Sequence, residues 1–133
     1  MTVRHLNPDQ LFKNPAFTQV VSISGPVRTV YVGGQNAVSA SGEIIGKGAL
    51  AAQAEQVLQN LQTALPAADG DVEHLIEWTI HVVDGQSLQP AFAAFRRFWG
   101  NRPNPPLITL TRVSDLANPD FLVEIDALAA VPE

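Results

Sequence analysis

The chain is 133 residues long, with 8 Lys+Arg against 13 Asp+Glu, no cysteine and 46% hydrophobic residues. One domain over residues 1–133 is expected, because a chain of this length supports a single core. The formal charge of -5 argues against a phosphate-tracking nucleic-acid surface, and the absence of cysteine excludes disulfides, thiolate catalysis and thiolate zinc sites. No run approaches the roughly 20 apolar residues that cross a bilayer. The expectation is a cytoplasmic protein with neither a nucleic-acid nor a membrane partner.

Two β-rich runs, residues 17–23 and 28–33, flank Ser24-Gly25-Pro26, which reads as a hairpin corner. Over residues 49–65, Leu50, Ala54, Val57, Leu58, Leu61 and Leu65 recur at helical spacing, with Gln53, Gln56, Gln59 and Gln62 assigned to the other faces. Pro66 should stop that helix. Residues 75–83 alternate as a strand, placing Ile76, Trp78, Ile80 and Val82 on one side and Glu77, Thr79 and His81 on the other. Residues 88–99 carry a stripe of Leu88, Phe92, Phe95 and Trp99, with Arg96 and Arg97 in the last turn complementing the helix dipole and Gly100 as C-cap. Residues 107–113 and 121–131 read as two final strands. The order is three strands, helix, strand, helix, two strands. With both helices on one face of a mixed sheet, the other face is expected to be apolar and covered by a second copy of the chain.

Few motifs carry chemistry. Gly46-Lys47-Gly48-Ala49 fits a loose phosphate-binding turn, yet a chain with two helices lacks the repeated βαβ units of a dinucleotide fold. His74 and His81 stand seven apart and fall on opposite faces of an extended strand, so they make no metal pair, and neither a metal nor another cofactor is expected. Glu124 lies inside an apolar strand with Asp126 on its face. Such a carboxylate either meets a partner, for which Arg112 on the preceding strand is the candidate, or sits in a pocket where it can orient a water. The paired Gly33-Gly34 at a strand end marks either a plain bulge or a close approach by a ligand or another chain.

Five blocks in order are Asn14-Pro15-Ala16-Phe17-Thr18-Gln19-Val20, Val30-Tyr31-Val32-Gly33-Gly34-Gln35, Val57-Leu58-Gln59-Asn60-Leu61, the run from Phe95 to Gly100, and Leu116-Ala117-Asn118-Pro119-Asp120-Phe121-Leu122-Val123-Glu124-Ile125-Asp126-Ala127. On these, over nearly its whole length, the sequence resembles the Rid (YjgF) family of reactive-intermediate deaminases, also called endoribonuclease L-PSP. The resemblance implies a chorismate-mutase-like α+β fold, with a mixed sheet of about six strands and two helices on one face, and a homotrimer with a small-molecule pocket between subunits. It further implies hydrolysis of enamine or imine intermediates such as 2-aminoacrylate to 2-oxo acids and ammonia, with an arginine holding the substrate carboxylate and a glutamate positioning the water.

Carried over by the resemblance, the glutamate is Glu124, whereas the arginine of the Pro-x-Arg-Ser/Thr motif falls at Ile108 in Pro106-Leu107-Ile108-Thr109. The family's tyrosine corresponds to Phe17, its serine before Gly-Gln to Gly33, and an asparagine of the second helix to Phe92. Phe17, Gly33, Gly34, Ile108 and Thr109 are therefore the expected substrate-binding set. Arg112, four residues on and about 13 Å along the strand, or Arg102 in the preceding loop, is the candidate replacement for the missing arginine. The function expected is hydrolysis of a less acidic imine with Glu124 orienting water. The rival is a trimer that binds a small metabolite or a protein partner without catalysis, and ribonuclease action comes last because no His/Lys pair accompanies the acidic balance.

Overall fold

The computed structural model describes residues 1–133. Six strands and two helices run in the expected order: β1 (Thr2–Leu6), β2 (Val20–Ser24), β3 (Val27–Gln35), α1 (Leu50–Ala64), β4 (Leu75–Val83), α2 (Gln89–Trp99), β5 (Leu107–Val113) and β6 (Val123–Pro132). Hydrogen bonding divides the strands into a four-stranded sheet, β3-β6-β4-β5, and a two-stranded one, β1-β2. In the larger sheet β6 is antiparallel to both neighbours, while β4 and β5 are parallel.

Both helices lie in crossovers that travel the same way across this sheet, α1 from β3 over β6 to β4 and α2 from β4 to β5. Right-handed crossovers therefore place both on one face. That face holds the core. Trp78, Ile80 and Val82 of β4 line up with Ala127, Ile125 and Val123 of β6, joined by Val30 and Val32 of β3. They pack against Leu50, Ala54, Val57, Leu58 and Leu61 of α1 and Ala91, Ala94, Phe95 and Trp99 of α2. Each fully buried aliphatic side chain contributes about 1.5–3 kcal/mol.

The Ser24-Gly25-Pro26 corner does not close a hairpin. Gly25 turns at φ +84°, and β2 pairs instead with β1, from Thr2↔Ser24 to Leu6↔Val20, while β3 takes β6 as its partner. The last strand starts later than its alternation implies, because Asn118 folds residues 118–121 into a turn, accepting from Asp120 N at its side chain and from Phe121 N at its carbonyl. α1 ends at Ala64, where a 3₁₀ turn, Leu65–Ala68, takes over around Pro66. Gly100 caps α2 at φ +63°, its N–H bonded to Arg96 O at 2.9 Å.

Two expectations about faces fail. Gln53 is fully buried on the core side of α1, not on a polar face. The sheet face away from the helices is mixed rather than uniformly apolar: beside Leu107 and Val113 of β5, Val83 of β4, Leu128 of β6 and an 81% exposed Tyr31 of β3 it presents Glu77, Thr79 and His81 of β4, Glu124 and Asp126 of β6, and Thr109 and Thr111 of β5. Alternation explains the polar share, since β4 and β6 give Trp78, Ile80, Val82, Val123, Ile125 and Ala127 to the helix side.

Candidate functional site

On the helix side, α2, the start of β5 and residues 14–17 line a cavity of about 680 Å³ that is open to solvent on one side. Its wall is built from Phe17, Trp78, Phe92, Phe95, Trp99 and Ile108. Thr18 holds the N-terminal part of this wall in place: its backbone N–H donates to Pro106 O at 3.2 Å and its hydroxyl to Pro105 O at 2.5 Å. That clamp lays Phe17 on the same wall as Ile108. Trp78 meets Phe95, Phe98 and Trp99 edge-to-face, with centroids 6.0, 5.8 and 6.2 Å away. Its buried indole N–H finds no acceptor.

Glu124 lies on the opposite face of the sheet. Pairing runs Val32↔Ala127 and then Gln35↔Ile125, so Gly33-Gly34 carries one residue more than the strand opposite, a β-bulge. The bulge fits around the acid: a Cβ on Gly34 would stand 2.9 Å from the Glu124 carboxyl carbon, whereas one on Gly33 would meet nothing within 4 Å. In register beside Glu124 on β4 is His81, whose Nδ1 shares a 2.7 Å hydrogen bond with Thr111 Oγ1 of β5. Thr109 is on this face too, separated from β6 by the whole of β4, about 10 Å away at ordinary strand spacing.

The expected residues thus form two groups, Phe17 and Ile108 on one side of the sheet and Gly33, Gly34, Glu124 and Thr109 on the other. Neither candidate arginine joins them. Arg112 has the parity of Ile108, so it points away from the Glu124 face, makes no ion pair with that acid, and donates to Gln86 O at 2.9 Å. Arg102 donates to Phe98 O at 3.0 Å and Trp99 O at 3.1 Å at the end of α2. The arginine that lines the cavity is Arg96, which the sequence reading used only as a dipole complement. Positions 92, 95, 96 and 99 share one helical face, and that spacing was the available signal. Elsewhere, burial pushes His5 of β1 below the ordinary imidazole value. No three His, Asp or Glu side chains gather as metal ligands would, and no helix is long and apolar enough to cross a membrane.

The sequence profile of endoribonuclease L-PSP matches residues 12–131. The chain belongs to that family. Among solved structures, it is similar to YyfB of Yersinia pestis, a protein of the conserved Rid family, with a TM-score of 0.85 and 30% identity over 98% of this chain and 100% of that one. A YjgF/YER057c/UK114-family member from Mycobacterium tuberculosis gives 0.67 and 27% over 86% of each chain, and the YjgF product of E. coli gives 0.68 and 27% over 76% of this chain and 79% of that one. No curated protein matches the sequence. The Rid/YjgF likeness agrees with the α+β architecture of two helices and six strands.

Proposed function

We propose that this Rid-family chain works as a homotrimer whose small-molecule pocket is completed between subunits, and that it hydrolyses an imine- or enamine-type metabolite with release of ammonia. The observation that carries this reading is the division of the site across the sheet. The aromatic cavity with Phe17 and Ile108 and the Glu124 edge with Gly33-Gly34 lie on opposite sides of the sheet and cannot share a ligand within one copy; the cavity of one copy set against the Glu124 face of the next would bring them together.

The chemistry needs few groups. Water adds to the imine carbon as Glu124 accepts one of its protons and passes it to nitrogen; the proton of the new hydroxyl then moves to nitrogen as the carbon–nitrogen bond breaks, and ammonia leaves a carbonyl compound behind. A positioned carboxylate of this kind contributes about 10²–10⁴-fold. Ile108, in place of the family's carboxylate-clamping arginine, argues against 2-aminoacrylate as the preferred substrate and for a compound with an apolar body. The runner-up, a binding trimer without catalysis, uses the same pocket.

The test generates imines in situ with an amino-acid oxidase and follows ammonia release. A rate above buffer that falls about 100-fold or more in Glu124→Gln is the expected outcome. No acceleration across small, branched and aromatic imines leaves only the binding reading.

A further inference from the structure

We infer that Arg96 is the anion-binding group of the helix-side cavity, which therefore selects a carboxylate compound with a flat, aromatic body. The inference rests on reading that cavity as a ligand site, and it specifies what the site prefers.

Arg96 is the sole charged side chain among the residues that line the cavity. It makes neither an ion pair nor a hydrogen bond of its own. Its neighbours are all engaged: Arg97 pairs with Glu55 at 2.8 Å, Arg102 bonds the last carbonyls of α2, and Arg112 bonds Gln86 O. The remaining polar side chain of the wall, Asn14, turns its amide oxygen to Ala16 N at 2.8 Å. A guanidinium left free at the rim of an apolar hollow attracts an anion more strongly than one in open water, because low-dielectric walls focus its field. Its two-pronged geometry suits a carboxylate.

The body of the ligand follows from the walls. Phe17, Trp78, Phe92, Phe95 and Trp99 surround a space of about 680 Å³, within the range that holds drug-sized ligands and far beyond what a three-carbon acid fills. Edge-to-face packing is already the habit of these rings, and a further ring extends it. The indole N–H of Trp78, one of these rings, is buried without a protein acceptor.

Both tryptophans of the chain line the cavity, so their fluorescence reports its occupancy. The probes are 3-phenylpropionate, its uncharged amide and propionate, titrated into the intact protein. The expected result is saturable quenching by 3-phenylpropionate, with the amide and propionate each at least about tenfold weaker. Arg96→Gln should bring the acid down to the level of the amide, while Arg97→Gln leaves the order unchanged. Arg96 and Arg97 are both exposed, so both variants should keep the parent circular dichroism spectrum. Equal binding of the acid by parent and Arg96→Gln, or equal binding of propionate and 3-phenylpropionate, overturns the inference. Arg96-dependent binding without any ammonia release from imines upholds it and removes the hydrolytic reading. Turnover that ignores the ring, the charge and Arg96 does the reverse.

Discussion

Gly34 is needed for the space it leaves, since its backbone is not in the left-handed region. A methyl group there would meet the Glu124 carboxyl carbon at 2.9 Å, closer than real Cβ contacts come, and the mobile end of the glutamate would have to move. Gly33, one residue away on the same bulge, opens onto nothing within 4 Å. Gly34→Ala should therefore keep a near-parent melting temperature but lose ammonia release to the extent that Glu124→Gln does. Gly33→Ala should keep both, with at most about 0.4–1 kcal/mol of added stability from a stiffer unfolded chain. A Gly34→Ala rate equal to the parent's would mean that the carboxylate does not act from the position it holds. At this scale the sequence pointed to the acid and the glycines but not to their fit, because a bulge sets which glycine meets the neighbouring strand. It misjudged the arginines for a similar reason. Parity places Arg112 on the side of Ile108, but the carbonyl of Gln86 claims it, and only the tertiary arrangement of that loop reveals the carbonyl.

Elements reach the site through one buried amide. Gln53 of α1 donates to Asp120 O at 2.8 Å and Gly46 O at 3.3 Å, and accepts from Leu122 N at 2.8 Å. It thereby ties the helix to the turn that delivers the chain into β6, one residue before Val123 and two before Glu124. Gln53→Leu strands a buried N–H and two carbonyls, at a cost of about 3 kcal/mol and a drop of about 10 °C in the calorimetric midpoint. Gln59→Ala, on the exposed side, should stay within about 0.5 kcal/mol of the parent. A Gln53→Leu variant as stable as the parent would show that water satisfies these groups. Helical periodicity located α1 and its apolar stripe, and position 53 falls on that stripe, three residues after Leu50 and four before Val57. Assigning it to a polar face followed residue type over spacing. The β2–β3 corner failed differently: the choice between β1 and β3 as the partner of β2 depends on pairing across the molecule, which local turn chemistry does not specify.

At the scale of the whole molecule, the sheet face away from the helices carries charge as well as the apolar residues expected to need a cover. Glu77, Glu124 and Asp126 give it a row of carboxylates, while the opposite side of the molecule offers Arg96 at the mouth of an apolar hollow. Two acidic faces meeting across a two-fold axis would repel. A head-to-tail contact, which sets the acidic face against a different surface of the next copy and leaves Arg96 to a ligand, avoids that repulsion and closes into a ring when its rotation allows. The proposed trimer, built this way, would complete the pocket with a mixed rather than a wholly apolar contact. Tyr31, 81% exposed beside Leu128 on the acidic face, is the large ring left for a neighbour to cover. Light scattering should give about three times the 14.3 kDa chain mass for the parent at micromolar concentration. Tyr31→Glu removes the ring and adds a carboxylate where three already stand, so it should shift the mass toward a single chain and lose ammonia release with it, while circular dichroism stays unchanged. A parent at one chain mass eliminates the intersubunit pocket. A trimeric Tyr31→Glu with full activity moves the contact off this face.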